Sequence, residues 1–186
     1  MNRITLNKLV VFGVLAEVII FLIPYLSNST IETTFRHAAR YSGRLSFIVF
    51  LYTFYLYASS RPKSVRENLP LKNFISLFAV LHVIHFGFLA LSVYLNDIQL
   101  EVPKVIGGSL AYFMIVAAPF FLDKLKTNLQ LIYFYYVSLV MSLTFVARLK
   151  GDFPGANPYW FHYFGLATMV ICCVIFGILI RKSRLK

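Results

Sequence analysis

The sequence predicts an all-α integral membrane protein: a bundle of six helices with both termini on the cytoplasmic side. Three observations carry that prediction. Apolar runs, each near the ~20 residues needed to span a bilayer, fill most of the 186-residue chain. The chain is 59% hydrophobic and only 13% charged, with a mean hydropathy of +0.74. That is more apolar surface than one soluble core of this size hides. Basic residues gather at the ends of the runs, where lipid headgroups would meet them.

The runs are read as helices over about 8–26, 41–60, 73–95, 104–122, 129–147 and 159–180. The first is long and lacks a small-residue cleavage site, so it is expected to be a retained helix rather than a signal peptide. Asn28 and Ser29 end it. Arg61 and Pro62 close the second run, Pro103 precedes the fourth, and Gly151, Pro154, Gly155 and Pro158 precede the sixth. Strands are disfavoured because the runs do not alternate polar and apolar residues. Little sequence lies outside the runs, so residues 1–186 read as one transmembrane domain without a soluble catalytic module.

Orientation follows from Lys and Arg. With the N-terminus inside, the inner segments carry about twice as many basic residues as the outer ones, where Arg36, Arg40, Arg44, Lys104, Arg148 and Lys150 fall. The net charge of +11 is therefore read as a membrane signal and not a nucleic-acid one. Cys172 and Cys173 are adjacent, without CxxC spacing, and read as small apolar fillers. Tyr52, Phe54, Tyr55 and Tyr57, and Tyr159, Trp160, Tyr163 and Phe164, read first as interfacial anchors. Walls around a planar cofactor are the sharper alternative.

Polar groups at membrane depth are the candidate functional residues. A carboxylate at Glu17 would cost about 2.5 kcal/mol or more in hydrocarbon, so it is expected to pair within the bundle or to relay protons. His82 and His85, three apart, share roughly one face of the third helix. Neutral imidazoles there could ligate a metal or heme iron, carry protons, or simply be hydrogen-bonded in a core. Their spacing is not that of a helical zinc site. Arg36, Arg40 and Arg44 recur every four residues beside His37. They form a stripe suited to lipid phosphates or to a carboxylate-bearing ligand. His162 stands alone at the outer start of the sixth helix.

The stretch Arg40-Tyr41-Ser42-Gly43-Arg44, followed after a basic loop by Phe78-Ala79-Val80-Leu81-His82, resembles the ferric reductase-like transmembrane family. The Gly107-Gly108 start of the fourth helix is similar too. The resemblance implies six helices, heme b, and electron transfer, with His82 as the iron ligand and Arg40 and Arg44 near the propionates. It also implies a quinol or redox-protein partner, since no nucleotide domain is present. The chain departs from the family in its fifth helix. Where the family carries a Leu-His pair, this sequence reads Leu131-Ile132-Tyr133-Phe134-Tyr135-Tyr136, and the later histidine position falls near Thr144. A second ligand would have to come from elsewhere. His85 shares a helix with His82, while His162 and His37 are conceivable. A five-coordinate heme, or a chain without heme, is equally open.

Two functions are therefore expected as alternatives. One is a heme b electron-transfer subunit of the cell membrane, not a complete enzyme by itself. The other is a non-heme six-helix protein, either a small proton-coupled transporter or an accessory subunit of a larger complex, using Glu17, His82 and His85 as a polar path. Assembly as an oligomer or complex subunit fits both. A lipid-modifying enzyme is disfavoured because Glu32, Asp97, Glu101 and Asp152 are scattered. A retinal protein is set aside because no lysine lies mid-helix to form a Schiff base.

Overall fold

The structure is a computed structural model and describes residues 5–27, 29–60, 65–99, 102–152 and 158–184. Among the described residues it is all-helical. The helices are α1 (Leu6–Leu26), α2 (Ile31–Ser59), α3 (Leu69–Leu95), α4 (Val102–Phe121), α5 (Thr127–Lys150) and α6 (Trp160–Arg184), with short 3-10 turns at Val65–Glu67 and Leu122–Lys124. The Arg61, Pro62 and Pro154–Gly155 breakers lie outside the described residues.

Two features of α2 bear on the expected helices. First, α2 begins ten residues earlier than the apolar pattern suggested. Thr30 caps it, its hydroxyl accepting from the Thr33 N–H at 3.4 Å, and Glu32 sits favourably in the first turn. No breaker intervenes before Tyr41, so the polar stretch carrying Arg36, His37 and Arg40 is helical. Second, among the described residues five of the six helices are long and apolar enough to cross a membrane, and α2 falls short of that hydropathy.

The physical reason is where α2 sits. It packs against α1, α3 and α6, and the chain continues α3 on α4, α4 on α5 and α5 on α6. Helices α2–α6 thus close a ring, with α1 in the groove outside α2 and α3. A helix packed against three others can carry Thr34, Ser42, Ser46 and Thr53 on its covered faces without showing them to lipid. Helices α1 and α6 do the reverse. Val11, Phe12, Ile19 and Ile23, and Ile171 and Val174, are more than half exposed, a surface expected of lipid contact and too apolar for water.

Successive helices run antiparallel, so both described chain ends meet at one end of the bundle. That half of the ring interior is filled by rings. Phe54 stacks on Phe134 at 5.0 Å and 13°, Tyr57 stacks on Phe134 at 4.5 Å, and Phe50 tilts onto Phe78 at 5.3 Å. Phe50, Phe54, Phe78 and Phe134 have no exposed surface. The second-helix aromatics therefore divide. Phe54 and Tyr57 are core, whereas Tyr52 and Tyr55 are nearly half exposed. Tyr159, Trp160, Tyr163 and Phe164 are all exposed, as interfacial anchors would be. Cys172 and Cys173 are free and pack at the edge of the core.

Candidate functional site

Above the aromatic fill, the opposite half of the ring carries the polar residues. Helix α3 turns His82 and His85 inward, ring centroids 5.5 Å apart and 52° tilted. His82 is buried between Phe78 at 5.0 Å and Tyr112 of α4 at 4.5 Å. His85 points at α2, and Gly43 is what admits it. A Cβ at position 43 would lie 3.1 Å from His85 Cε1. The Nδ1 atoms of both histidines are buried and have no hydrogen-bond partner. Buried polar atoms in this state carry a free-energy cost that usually marks a strained or functional position.

Glu17 reaches the same level from outside the ring. It is 1% exposed, and Ser42 donates a 2.9 Å hydrogen bond to its Oε1 while Oε2 lacks a partner. The structure thus pairs Glu17 with Ser42 and not with a histidine. A glutamine keeps the acceptor for Ser42 and mimics the neutral acid. Glu17→Gln is therefore expected to change stability by less than about 1 kcal/mol, while Glu17→Ala, which orphans Ser42, costs about 1–3 kcal/mol. Thermal unfolding in detergent measures both; equal losses would show that the proton, and not the acceptor, matters there.

The arginine stripe divides between two neighbours, because residues four apart drift around the helix. Arg36 donates to Asn96 beyond the end of α3, and Asn96 in turn donates to the Glu32 carbonyl at 3.3 Å. This tie fixes the end of α2 against α3. Arg44 instead faces α6. Its guanidinium lies 4.3 Å from the Phe161 ring and 4.9 Å from Tyr41. Arg40 and Arg44 are half-buried, and Arg148, in the last turn of α5, joins them. The three are close enough to act on one another's charge. Among the described residues none has a carboxylate partner; the ion pair found is Lys72–Asp123, 2.7 Å, at the other end of the bundle.

His162 is buried next to this group, its Nδ1 accepting from the Tyr159 N–H at 3.3 Å. It therefore caps the start of α6 and does not meet His82. His37 stacks on Tyr41 at 6.3 Å, at the margin of the bundle. Among the described residues no three His, Cys, Asp or Glu side chains come together as a metal-ion cage.

As a heme site this donor set is one-sided. Imidazoles come from α3 alone. Ile132, in the place of the resembled family's fifth-helix histidine, is 56% exposed and faces outward. Thr144 spends its hydroxyl on the Val140 carbonyl at 2.9 Å. The residues fit one protein ligand to iron and do not fit a cross-ring histidine pair. Gly107 approaches α5 closely enough that its carbonyl accepts from Tyr136 Oη at 3.1 Å.

Sequence reasoning found Glu17, the histidines and the α2 arginines, but missed Tyr112, Ser42 as the partner of Glu17, and the inward role of Arg148. The sequence pattern places Arg148 among the outer-segment charges. Its signal was its place just past an apolar run, ahead of a glycine. Gly151 does end α5 in the left-handed conformation, φ 76°, one turn beyond Arg148. Compared with protein-family models, with curated proteins and with solved structures, the chain matches none. The family resemblance rests on its residues alone.

Proposed function

We propose that this chain is a multi-pass protein of the cell membrane, with six crossings and both termini cytoplasmic, and that it is a divergent ferric reductase-like electron-transfer subunit holding heme b. The observation that carries this reading is the pair of inward histidines, His82 and His85, whose Nδ1 atoms are buried without a partner, lying near arginines without carboxylates among the described residues. His82 would supply an imidazole to iron, and Arg40 and Arg44 would supply guanidinium groups to the porphyrin carboxylates. Heme would bring the one-electron chemistry. The chain would bring orientation, and its Phe50, Phe54, Phe78 and Phe134 fill would keep water from the terminal side. Electrons would come from a quinol or a partner redox protein.

The test is an absorbance spectrum of protein purified after expression with ample heme. A Soret band that shifts on reduction, and that His82→Ala reduces by roughly tenfold or more in occupancy, is the expected result. The absence of any Soret band in both redox states would end the heme reading.

A specific observation favours a second reading. The Tyr112 ring packs on His82 at 4.5 Å and His85 fills the space at Gly43, so the inward face of α3 is already occupied. A non-heme bundle, acting as a small proton-coupled transporter or an accessory subunit, would use this closed polar cluster with Glu17 as its internal network. In that case His82→Ala changes stability or a proton-coupled activity with no change in visible absorbance.

A further inference from the structure

Three elements converge where the arginines lie. Phe47 of α2 meets Phe145 of α5 edge-on at 5.3 Å, and Phe145 meets Phe161 of α6 at 6.5 Å. Arg44 follows Phe47's level one turn toward the arginine end, and Arg148 lies one turn beyond Phe145. The aromatic contacts therefore bring the two guanidinium groups to one level from two different helices, with Arg40 one further turn along α2. Lys150 stands apart, exposed, at the end of α5.

The charge arithmetic at this level is unbalanced. Three guanidinium groups gather with His162 close by, and no described carboxylate is paired with them. Among the described residues no hydrogen bond from Arg40, Arg44 or Arg148 to a protein acceptor is found, although a guanidinium carries five N–H donors. Arg44 is held by the faces of Phe161 and Tyr41. Contact through the ring faces leaves the N–H edges free for an in-plane acceptor. Half-buried like charges repel one another, and an anion between them would offset that repulsion.

We propose that Arg40, Arg44 and Arg148 form a binding site for an oxyanion, a phosphate or carboxylate, at the end of the bundle opposite Leu6 and Arg184. Arg148 is the residue that makes it a site rather than a stripe, because it supplies the second wall. The anion comes either from solution or from a lipid headgroup, and both present the same oxygens to the guanidinium forks. The site stands whether or not the protein holds heme, and heme-free protein is the material to test.

The experiment measures thermal unfolding of the full chain, purified without heme in a neutral detergent. Inorganic phosphate is titrated against chloride at matched ionic strength, and phosphatidylglycerol against phosphatidylcholine. Stabilisation by phosphate and by phosphatidylglycerol is expected if anions enter from solution. Stabilisation by phosphatidylglycerol alone is expected if the headgroup is the source. In either case Arg148→Gln should weaken the apparent affinity by at least about tenfold, and Lys150→Gln should leave it unchanged. Arg148→Lys, which keeps the charge and so guards against simple misfolding, should fall between them. An Arg148→Gln or Arg148→Lys protein that unfolds cooperatively and responds to the anion as the parent does would overturn the site. So would a parent protein indifferent to both anions.

Discussion

Phe134→Ala is expected to cost about 3–5 kcal/mol of stability, the largest loss from any single truncation in the bundle. Phe134 has no exposed surface and touches four other rings: Tyr57 at 4.5 Å, Phe54 and Tyr133 at 5.0 Å, and Phe50 at 6.4 Å. These rings come from α2 and α5, on facing sides of the ring of helices. In lipid, burying apolar surface gives little advantage over leaving it in hydrocarbon, so the loss is chiefly one of packing. Each neighbour would lose contacts, and stiff aromatic side chains collapse poorly into the space left behind. Unfolding in detergent against denaturant measures the loss. A change under about 1 kcal/mol would mean the rings are not the close-packed wedge that separates the polar half of the interior from the terminal end. Phe134→Leu, which keeps most of the volume, should recover much of the stability.

Gly165→Ala is the second large effect, and it acts at the seam of α5 and α6. Glycine within a helix is unfavourable relative to alanine by roughly 0.5–1 kcal/mol, so alanine would ordinarily stabilise. Here a Cβ would sit 2.6 Å from Phe145 Cζ and 2.7 Å from Cε1, closer than atoms approach. Phe145 cannot swing away freely because it is wedged edge-on against Phe47 at 5.3 Å. The substitution is expected to destabilise by about 1–3 kcal/mol. Combining it with Phe145→Leu should restore stability, with a coupling above about 0.5 kcal/mol. Strict additivity of the two changes would show that the close approach is not what holds α6 in place. The same displacement moves Phe161 beneath Arg44, so Gly165→Ala should also blunt the response to phosphate or phosphatidylglycerol.

Much of this protein was legible in its sequence. Period and length announced five of the helices, and breakers such as Pro103 and Gly151 fall at their limits; Asn28 lies outside the described residues. Glu17, His82 and His85 stood out because an ionisable group inside an apolar run is expensive, and cost is visible without coordinates. The start of α2 was not legible. Hydropathy marks where a helix can face lipid, and α2 is instead sheltered by α1, α3 and α6. Six of its first ten residues are polar, so they fall outside the apolar run. Partners were hidden for a related reason. Ser42 and Glu17 are 25 residues apart, and nothing in either neighbourhood marks the other. Tyr112 was one aromatic among many until His82 was found against it.

The amino-acid order by itself determined which segments are helical and apolar, and which few side chains must answer for their burial. Only the tertiary arrangement decided what those side chains meet. It gave Glu17 to a serine, aimed two histidines into a ring of helices, split one arginine stripe between two neighbours, and brought Arg148 of α5 near Arg40 and Arg44. The reason is that propensity and hydropathy act within a helix, over a few residues. Which faces come together depends on how rings and glycines fit between helices, as Gly43 does with His85 and Gly165 with Phe145.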